Sequence, residues 1–132
     1  MFALIFLFQF QNVFAFEKLK DSTRVIIYDT VETMPKFSKD DTLNQLLFAF
    51  ISQNINYPRD ARENDVQGVV NVSFVVLSDG SISSIEFKKD IGYGFAQEAV
   101  RILKKMPTWI PGKHKGKPVA VRIKFPIRFS LG

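Results

Sequence analysis

The chain contains no cysteine and a single histidine among its 132 residues. The lack of cysteine excludes a disulfide framework, a thiolate metal site, a cysteine nucleophile and a lipid-modified lipoprotein terminus. Because His114 is the single histidine, the sequence has no histidine pair for a metal site. His114 lies in a basic turn with no carboxylate beside it in the sequence, so no catalytic base with an orienting partner can be recognised. A glycine-rich phosphate loop is also absent. We therefore expect no catalytic residue, no metal site and no cofactor.

Acidic residues are in the minority, with 13 against 18 basic residues and a formal net charge of +5. Such an excess suits a nucleic acid, an anionic lipid or an acidic partner. It suits solubility equally well, and this is the interpretation that we prefer. Hydrophobic residues make up 46% of the chain, so the composition is that of a globular protein. The length allows one domain with a modest core.

The N-terminus carries an apolar run without charge. Residues 1–16 carry no charge and hold six of the fourteen phenylalanines. The run ends in Val13-Phe14-Ala15, with small residues where a signal peptidase cleaves, so we predict a signal peptide over residues 1–15 and an exported protein of the periplasm or cell envelope. A buried N-terminal segment is the structural alternative. A membrane anchor is disfavoured because the run is shorter than the ~20 residues that span a bilayer.

The chain after this run divides into a segment and a domain. Residues 16–41 are predicted to be extended or partly ordered, and residues 42–131 to form the domain. Within the segment, residues 25–28 are β-branched and aromatic, which indicates a short strand.

Two stretches of the domain have the apolar spacing of amphipathic helices. The first helix is predicted to bury Leu43, Leu46, Leu47, Phe50 and Ile51, with Asp40, Asp41 or Thr42 as its cap. Pro58 ends this helix and opens a short helical turn through Asn64. The second helix is predicted to bury Phe95, Ala96, Ala99, Ile102, Leu103 and Met106, and Pro107 stops it.

Three stretches have the alternation of β-strands. Residues 68–76 are apolar on both faces, which predicts a central strand. Asp79-Gly80 predicts a two-residue hairpin turn into a second strand over residues 82–89. Because Ile82 is out of phase, we expect a bulge or a frayed start in this strand. The last strand runs to Phe129, and Pro126 predicts that it is an edge strand.

These elements predict an α+β fold. Its sheet has three antiparallel strands in the order 2-1-3, and the two helices pack on one face. Trp109 lies between two prolines, and we expect it to pack over one end of the core.

An ordered set of motifs resembles the TonB C-terminal domain, in the version of Bacteroidetes-type energy transducers. The resemblance covers about residues 32–131 and rests on Tyr57-Pro58, Ala61, Gly68, Asp79-Gly80, Glu98-Ala99, Met106-Pro107, Trp109, Pro111-Gly112, Gly116-Lys117-Pro118-Val119 and Pro126-Ile127 with Phe129. It implies a periplasmic domain that supports energy-coupled transport across the outer membrane. Its partner would be the TonB box, a short peptide of outer-membrane transporters that adds as a strand to the last strand.

The resemblance also implies the residues that contact this peptide. Polar residues just before the Tyr-Pro pair, here Asn54 and Asn56, contact the box in the family, and Tyr57 lies next to the last strand. The predicted edge contributes Val119, Ala120, Val121, Arg122, Ile123, Lys124, Phe125 and Arg128.

The chain departs from a complete transducer in two respects. Family members carry an N-terminal transmembrane helix that engages an inner-membrane motor, followed by a long proline-rich spacer. Residues 17–35 hold one proline and no repeat. We therefore expect either a transducer whose connection to the motor comes from a missing anchor or another chain, or a stand-alone exported adaptor that binds peptides.

Two other partners suit parts of the pattern. The same open edge can pair with a second copy of the chain to form a homodimer. A basic stripe of Lys113, Lys115, Lys117, Arg122, Lys124 and Arg128 suits a nucleic acid. Phe125 and Phe129 share the apolar face of their strand, so they should be core residues rather than base-stacking platforms. We expect no nucleic-acid partner.

The export prediction is tested by the mass of the mature protein. Cleavage after Ala15 should give a chain that begins at or near Phe16 in the periplasmic fraction of the native host. Intact mass spectrometry checks this, and an intact N-terminus in the cytosolic fraction would contradict it.

Overall fold

The structure is a computed structural model that describes residues 25–41, 44–89 and 91–132. The predicted signal peptide lies outside these residues, as do Thr42 and Leu43 of the first predicted helix. The elements in chain order are β1 (Ile27–Tyr28), α1 (Gln45–Asn54), α2 (Arg59–Glu63), β2 (Gly68–Val76), β3 (Ile82–Phe87), α3 (Phe95–Lys105), β4 (Gly112–His114) and β5 (Lys117–Phe129). None of the described helices is long and apolar enough to cross a membrane.

The sheet contains the three predicted strands together with two short ones. Its order is β1-β5-β2-β3, and β4 pairs with β5 as a hairpin. β2 is antiparallel to both of its neighbours, so the central position predicted for it is confirmed. The prediction of a purely antiparallel, three-stranded sheet is wrong, because β1 adds to β5 in parallel. The short strand predicted within residues 25–28 is confirmed as β1, although its pairing with β5 was not predicted. β4 escaped prediction because three residues carry too little alternation to be recognised.

All three described helices contribute to one core on one face of the sheet. Alternate residues of β2 point into it, and Val70, Val72 and Phe74 are at most 2% exposed. The face predicted for the second long helix is confirmed in α3, where Phe95, Ala99, Ile102 and Leu103 are buried. In α1 the prediction was partly wrong, because Leu47 and Ile51 are buried whereas Leu46 is 43% exposed.

The first turn of α1 is capped by a buried aspartate. The two carboxylate oxygens of Asp41 accept hydrogen bonds from the backbone N–H groups of Leu46 and Leu47, both at 3.1 Å. Asp41 is 4% exposed, so these two bonds satisfy a carboxylate that has little access to water. The predicted helix cap is confirmed, and among the candidates Asp41 makes the cap hydrogen bonds.

The β2–β3 hairpin uses a three-residue loop rather than the predicted two-residue turn. The N–H of Leu77 donates to the carbonyl of Ser81 at 2.8 Å, which leaves Ser78, Asp79 and Gly80 in the loop. Only Gly80 of the three has a positive φ, at 87°. The predicted bulge is confirmed in β3, where the register shifts and Ser84 has a φ of 53°.

Gly80 also joins this hairpin to the segment that contains Trp109. The Trp109 N–H donates to the Gly80 carbonyl at 2.9 Å. A Cβ at Gly80 would lie 2.1 Å from the Trp109 carbonyl oxygen, so no other residue fits here without a backbone shift. The indole packs against Phe74 and Phe37, with ring centroids 5.4 and 5.6 Å away. Trp109 is 4% exposed, which confirms its predicted position in the core.

The segment before α1 packs against the β4–β5 hairpin. We call residues 25–37 the strap. Thr33 and Lys113 exchange two backbone hydrogen bonds, and so do Lys36 and Ile110. Phe37 ends the strap between Phe50 of α1 and Trp109.

Trp109→Ala should lower the free energy of unfolding by about 3–5 kcal/mol, because it leaves a cavity in the core. Its buried Nε1 has no hydrogen-bond acceptor among the described residues. Trp109→Phe, which removes that N–H and less volume, should therefore cost clearly less. Denaturant unfolding of both variants checks this. Unchanged stability with lost peptide binding would make Trp109 a contact residue instead.

Asp41→Ala should destabilise the domain by about 1 kcal/mol, because two backbone N–H groups at the start of α1 lose their acceptor. Asp40→Ala is the matched control, since Asp40 is exposed and accepts no cap hydrogen bond from the described part of α1. Thermal melts of the two variants should separate. Equal melting temperatures would show that the cap contributes nothing.

Candidate functional site

The candidate site is the outer edge of β5, which is the side of residues 120–129 that faces away from β2. The inner side is paired with β2 along its whole length, from Val121 opposite Val76 to Phe129 opposite Gly68. On the outer side, the described residues provide a strand partner only for Ala120 and Val121. From Arg122 to Phe129 the outer backbone groups of β5 have no strand beside them in the described part of the chain.

The beginning of the predicted binding edge is therefore not open. Ile27 pairs with Ala120 and Tyr28 with Val121, while Gly112 of β4 pairs with Val119. Sequence analysis predicted an open edge at these three β5 residues, and the structure corrects it. Ala120 and Val121 are also buried, at 3% and 0% exposure.

A groove lies beside the open part of this edge. It has a volume of about 700 Å³ and is lined on one side by residues 122–125 of β5. Residues 32–36 of the strap form the opposite side. The lining is completed by Asp29 of the strap, by Asp41 and Asn44 just before α1, by Leu47 of α1 and by Trp109. We call it the strap groove. A strand added to β5 would lie along it and could place alternate side chains within it.

The charges around the edge are mixed rather than uniformly basic. Arg122 lies between two carboxylates, with its Nε 3.8 Å from Asp29 Oδ1 and its Nη1 3.9 Å from Glu86 Oε2. Lys124 and Arg128 are exposed. Ile123 and Phe125 are half-buried and pack against the core, with the Phe125 ring 5.7 Å from Phe74. The side chains of this strand thus alternate between core packing and solvent, as predicted.

The other end of the edge is flanked by Tyr57. Its ring lies edge-on to Phe129 of β5 and to Phe95 of α3, with centroids 6.0 and 5.9 Å away. Its hydroxyl donates a hydrogen bond to the Val66 carbonyl. Tyr57 is therefore next to the last strand, as the resemblance implied. Because its hydroxyl and much of its ring are used within the domain, it offers a partner little more than an exposed ring edge.

Asn54 and Asn56 belong to a polar cluster at the C-terminus of α1. The Asn54 carbonyl accepts a hydrogen bond from the Arg101 guanidinium, and the Asn56 N–H donates to Glu98 Oε1 at 3.2 Å. Arg101 and Glu98 are also bonded to each other, which raises the pKa of Arg101. The cluster fixes the loop that leads to Tyr57. The two asparagines were predicted as site residues, but the α3 pair that holds them was not, since the partners are more than 40 residues apart along the chain.

His114 is not the isolated loop residue that the sequence predicted. Its Nδ1 lies 3.0 Å from Glu32 Oε2, and its ring centroid lies 5.0 Å from that of Tyr28. The pKa of Glu32 is lowered, first by a hydrogen bond from its own backbone and then by His114. The contact joins the strap to the β4–β5 hairpin. The contact could not be predicted from the sequence, because Glu32 and His114 lie 82 residues apart along the chain.

The aromatic rings of the β5 part of the basic stripe are used for packing within the domain. Phe129 is 1% exposed and stacks on Phe95, with centroids 4.6 Å apart. Phe125 packs edge-on to Phe74. Recognition of single-stranded nucleic acid relies on stacking of bases on accessible aromatic rings. The arrangement at β5 instead offers backbone hydrogen-bonding groups beside a groove, which is a geometry that accepts an extended peptide.

The comparisons agree with this geometry. A family model described as the C-terminal domain of Gram-negative bacterial TonB proteins matches residues 53–131, which include α2, α3 and the strands β2 to β5. No curated protein matches the chain. Domains of the matched family are periplasmic, non-enzymatic interaction domains that act in transport with TonB-dependent transporters. Because the match spans more than half of the chain, this protein belongs to the TonB C-terminal domain family.

Proposed function

We propose that this protein is an exported, periplasmic domain that binds the TonB box of outer-membrane transporters as an added strand on the outer edge of β5. The observation that carries the proposal is the asymmetry of β5. Its inner side is paired from Val121 to Phe129, whereas its outer side has no strand partner beyond Val121 among the described residues.

Strand addition is favoured by the chemistry of this edge. Each residue of an edge strand that points a backbone N–H or C=O outward presents an unused donor or acceptor. An extended peptide supplies the matching groups regardless of most of its side chains. The strap groove beside residues 122–125 adds room for side chains that project from the added strand. Affinity would come from the backbone and selectivity from the groove.

The role in energy-coupled transport depends on a second connection. A transducer must also reach an inner-membrane motor, either through its own anchor or through another chain. A stand-alone adaptor would bind the same peptide without this connection. Uptake of a transporter's cargo in cells that lack the protein separates the two roles, because energy coupling predicts that uptake is lost.

Two single variants, Ile123→Pro and Lys124→Pro, test strand addition. Consecutive N–H groups of a strand point to opposite edges, so one of Ile123→Pro and Lys124→Pro removes a donor from the outer edge and the other removes one from the β2 ladder. The outer-edge variant should lose at least about tenfold in affinity for a TonB-box peptide. Isothermal titration measures the affinity, and circular dichroism identifies which variant remains folded.

Lys124→Ala and Arg122→Ala are the controls for this experiment. Both leave the backbone unchanged and should weaken binding only modestly, because strand addition depends on backbone groups rather than on these side chains. Equal binding by the folded proline variant and the parent protein would contradict strand addition. Peptide-induced NMR shift changes confined to residues 112–116 would place the site at the hairpin turn. Binding of single-stranded nucleic acid with a steep salt dependence, and of no peptide, would favour the basic stripe instead.

A further inference from the structure

We propose that β1 is a displaceable occupant of the partner's edge, so that the protein's own strap competes with the incoming peptide. The inference rests on the proposed function, because it concerns regulation of the same edge. β1 pairs with Ala120 and Val121 on the side of β5 that faces away from β2. It therefore already makes the pairing that an added strand would make. A partner that extends past Arg122 towards Val119 can bind only after β1 has left.

The attachment of β1 is weak. It consists of two paired residues, and Ile27 is still 40% exposed. The preceding Val25 and Ile26 are 61% and 71% exposed, so they bury little apolar surface. The nearby ion pair joins Asp29 to Arg122 at 3.8 Å, and the Asp29 side chain is largely in solvent. Segments with so few buried contacts open at a small cost in free energy.

The following part of the strap is attached firmly. The Thr33 and Lys36 backbones each exchange two hydrogen bonds with the Ile110–Lys113 stretch, at 2.8–3.3 Å. Val31 and Pro35 are buried. A Cβ at Gly112 would lie 3.0 Å from both Pro35 Cδ and the Thr33 carbonyl oxygen, which shows how closely the strap lies on the hairpin. Residues 31–37 can therefore stay in place while residues 25–29 leave the edge.

Displacement leaves no buried charge without a partner. When Asp29 leaves, Arg122 keeps Glu86 at 3.9 Å. The released strand remains tethered at Val31, so it returns to the edge at a high effective concentration once the partner dissociates. The apparent affinity for the partner is then the intrinsic affinity multiplied by the fraction of molecules in which β1 is open.

An engineered disulfide tests this competition. Ile27 and Ala120 are direct partners across the β1–β5 pair, which is compatible with the Cα separation that a disulfide needs. The chain has no cysteine, so in the double variant Ile27→Cys/Ala120→Cys only the introduced pair can oxidise. The probe is a synthetic peptide that carries the TonB box of a transporter from the same genome. Oxidation should weaken its binding at least about tenfold, and a reductant should restore it.

Three further variants provide two controls and a test in the opposite direction. Val75→Cys/Ser83→Cys places a disulfide between β2 and β3, away from the outer edge, and its peptide affinity should not depend on redox state. Tyr28→Gly removes the ring contact with His114 and loosens β1, so it should bind the peptide roughly fivefold more tightly. Val25→Gly is its matched control at an exposed position and should leave affinity unchanged.

The outcomes separate this inference from the function on which it rests. If the peptide binds the oxidised and reduced Ile27→Cys/Ala120→Cys variants equally, β1 is no competitor, although the edge still binds the peptide. If no form binds it, including Tyr28→Gly, the proposed function fails and the inference with it. Hydrogen exchange of the parent protein gives a readout without peptide: β1 amides should exchange about tenfold faster than those of Thr33 and Lys36. Equal protection would overturn the inference.

Discussion

The pairing of β2 with β5 is the interaction on which the rest of the structure depends. It runs over nine residue pairs, from Gly68 opposite Phe129 to Val76 opposite Val121. This register places Val70, Val72 and Phe74 on the same face as Ile127 and Phe129, which gives the helices one continuous apolar surface to cover. A shift of one strand by one residue would turn its apolar set to the opposite face. The same register uses one side of β5 completely, and so determines which side is left for a partner.

A second constraint links the two ends of the domain through Trp109. Its backbone is bonded to the β2–β3 hairpin at Gly80, and its ring contacts Phe37 at the end of the strap. Because Trp109 also lines the strap groove, the core, the hairpin and the candidate site share one residue. The position of the strap is therefore set by the core rather than by surface contacts alone. This explains how a segment with little secondary structure of its own can form one side of a groove.

Sequence patterns predicted what depends on periodicity and missed what depends on distant contacts. The faces of β2 and α3, the cap at Asp41 and the buried Trp109 follow from local spacing and were predicted correctly. The β1–β5 pair, the Glu32–His114 contact and the Arg101–Glu98 cluster join residues that no local pattern connects. Leu46 was placed in the core because its spacing fits, although only Leu47 and Ile51 of α1 are buried and Leu46 is 43% exposed. Among the described residues the outer side of β5 beyond Val121 has no strand partner, as Pro126 predicted, whereas the pairing of its beginning with β1 was not predicted.

An open strand edge is a liability as well as a binding site, because it can pair with any exposed strand. This chain carries two features that limit such pairing. Arg122 and Lys124 place cations along the edge, and β1 covers its beginning. The charges act against apolar strands in general but cannot distinguish a correct partner from another solvated peptide. A tethered strand can make that distinction, because only a partner that pairs along enough of β5 offsets the contacts that β1 gives up. β1 would then both protect the edge and select partners by the length over which they pair with β5.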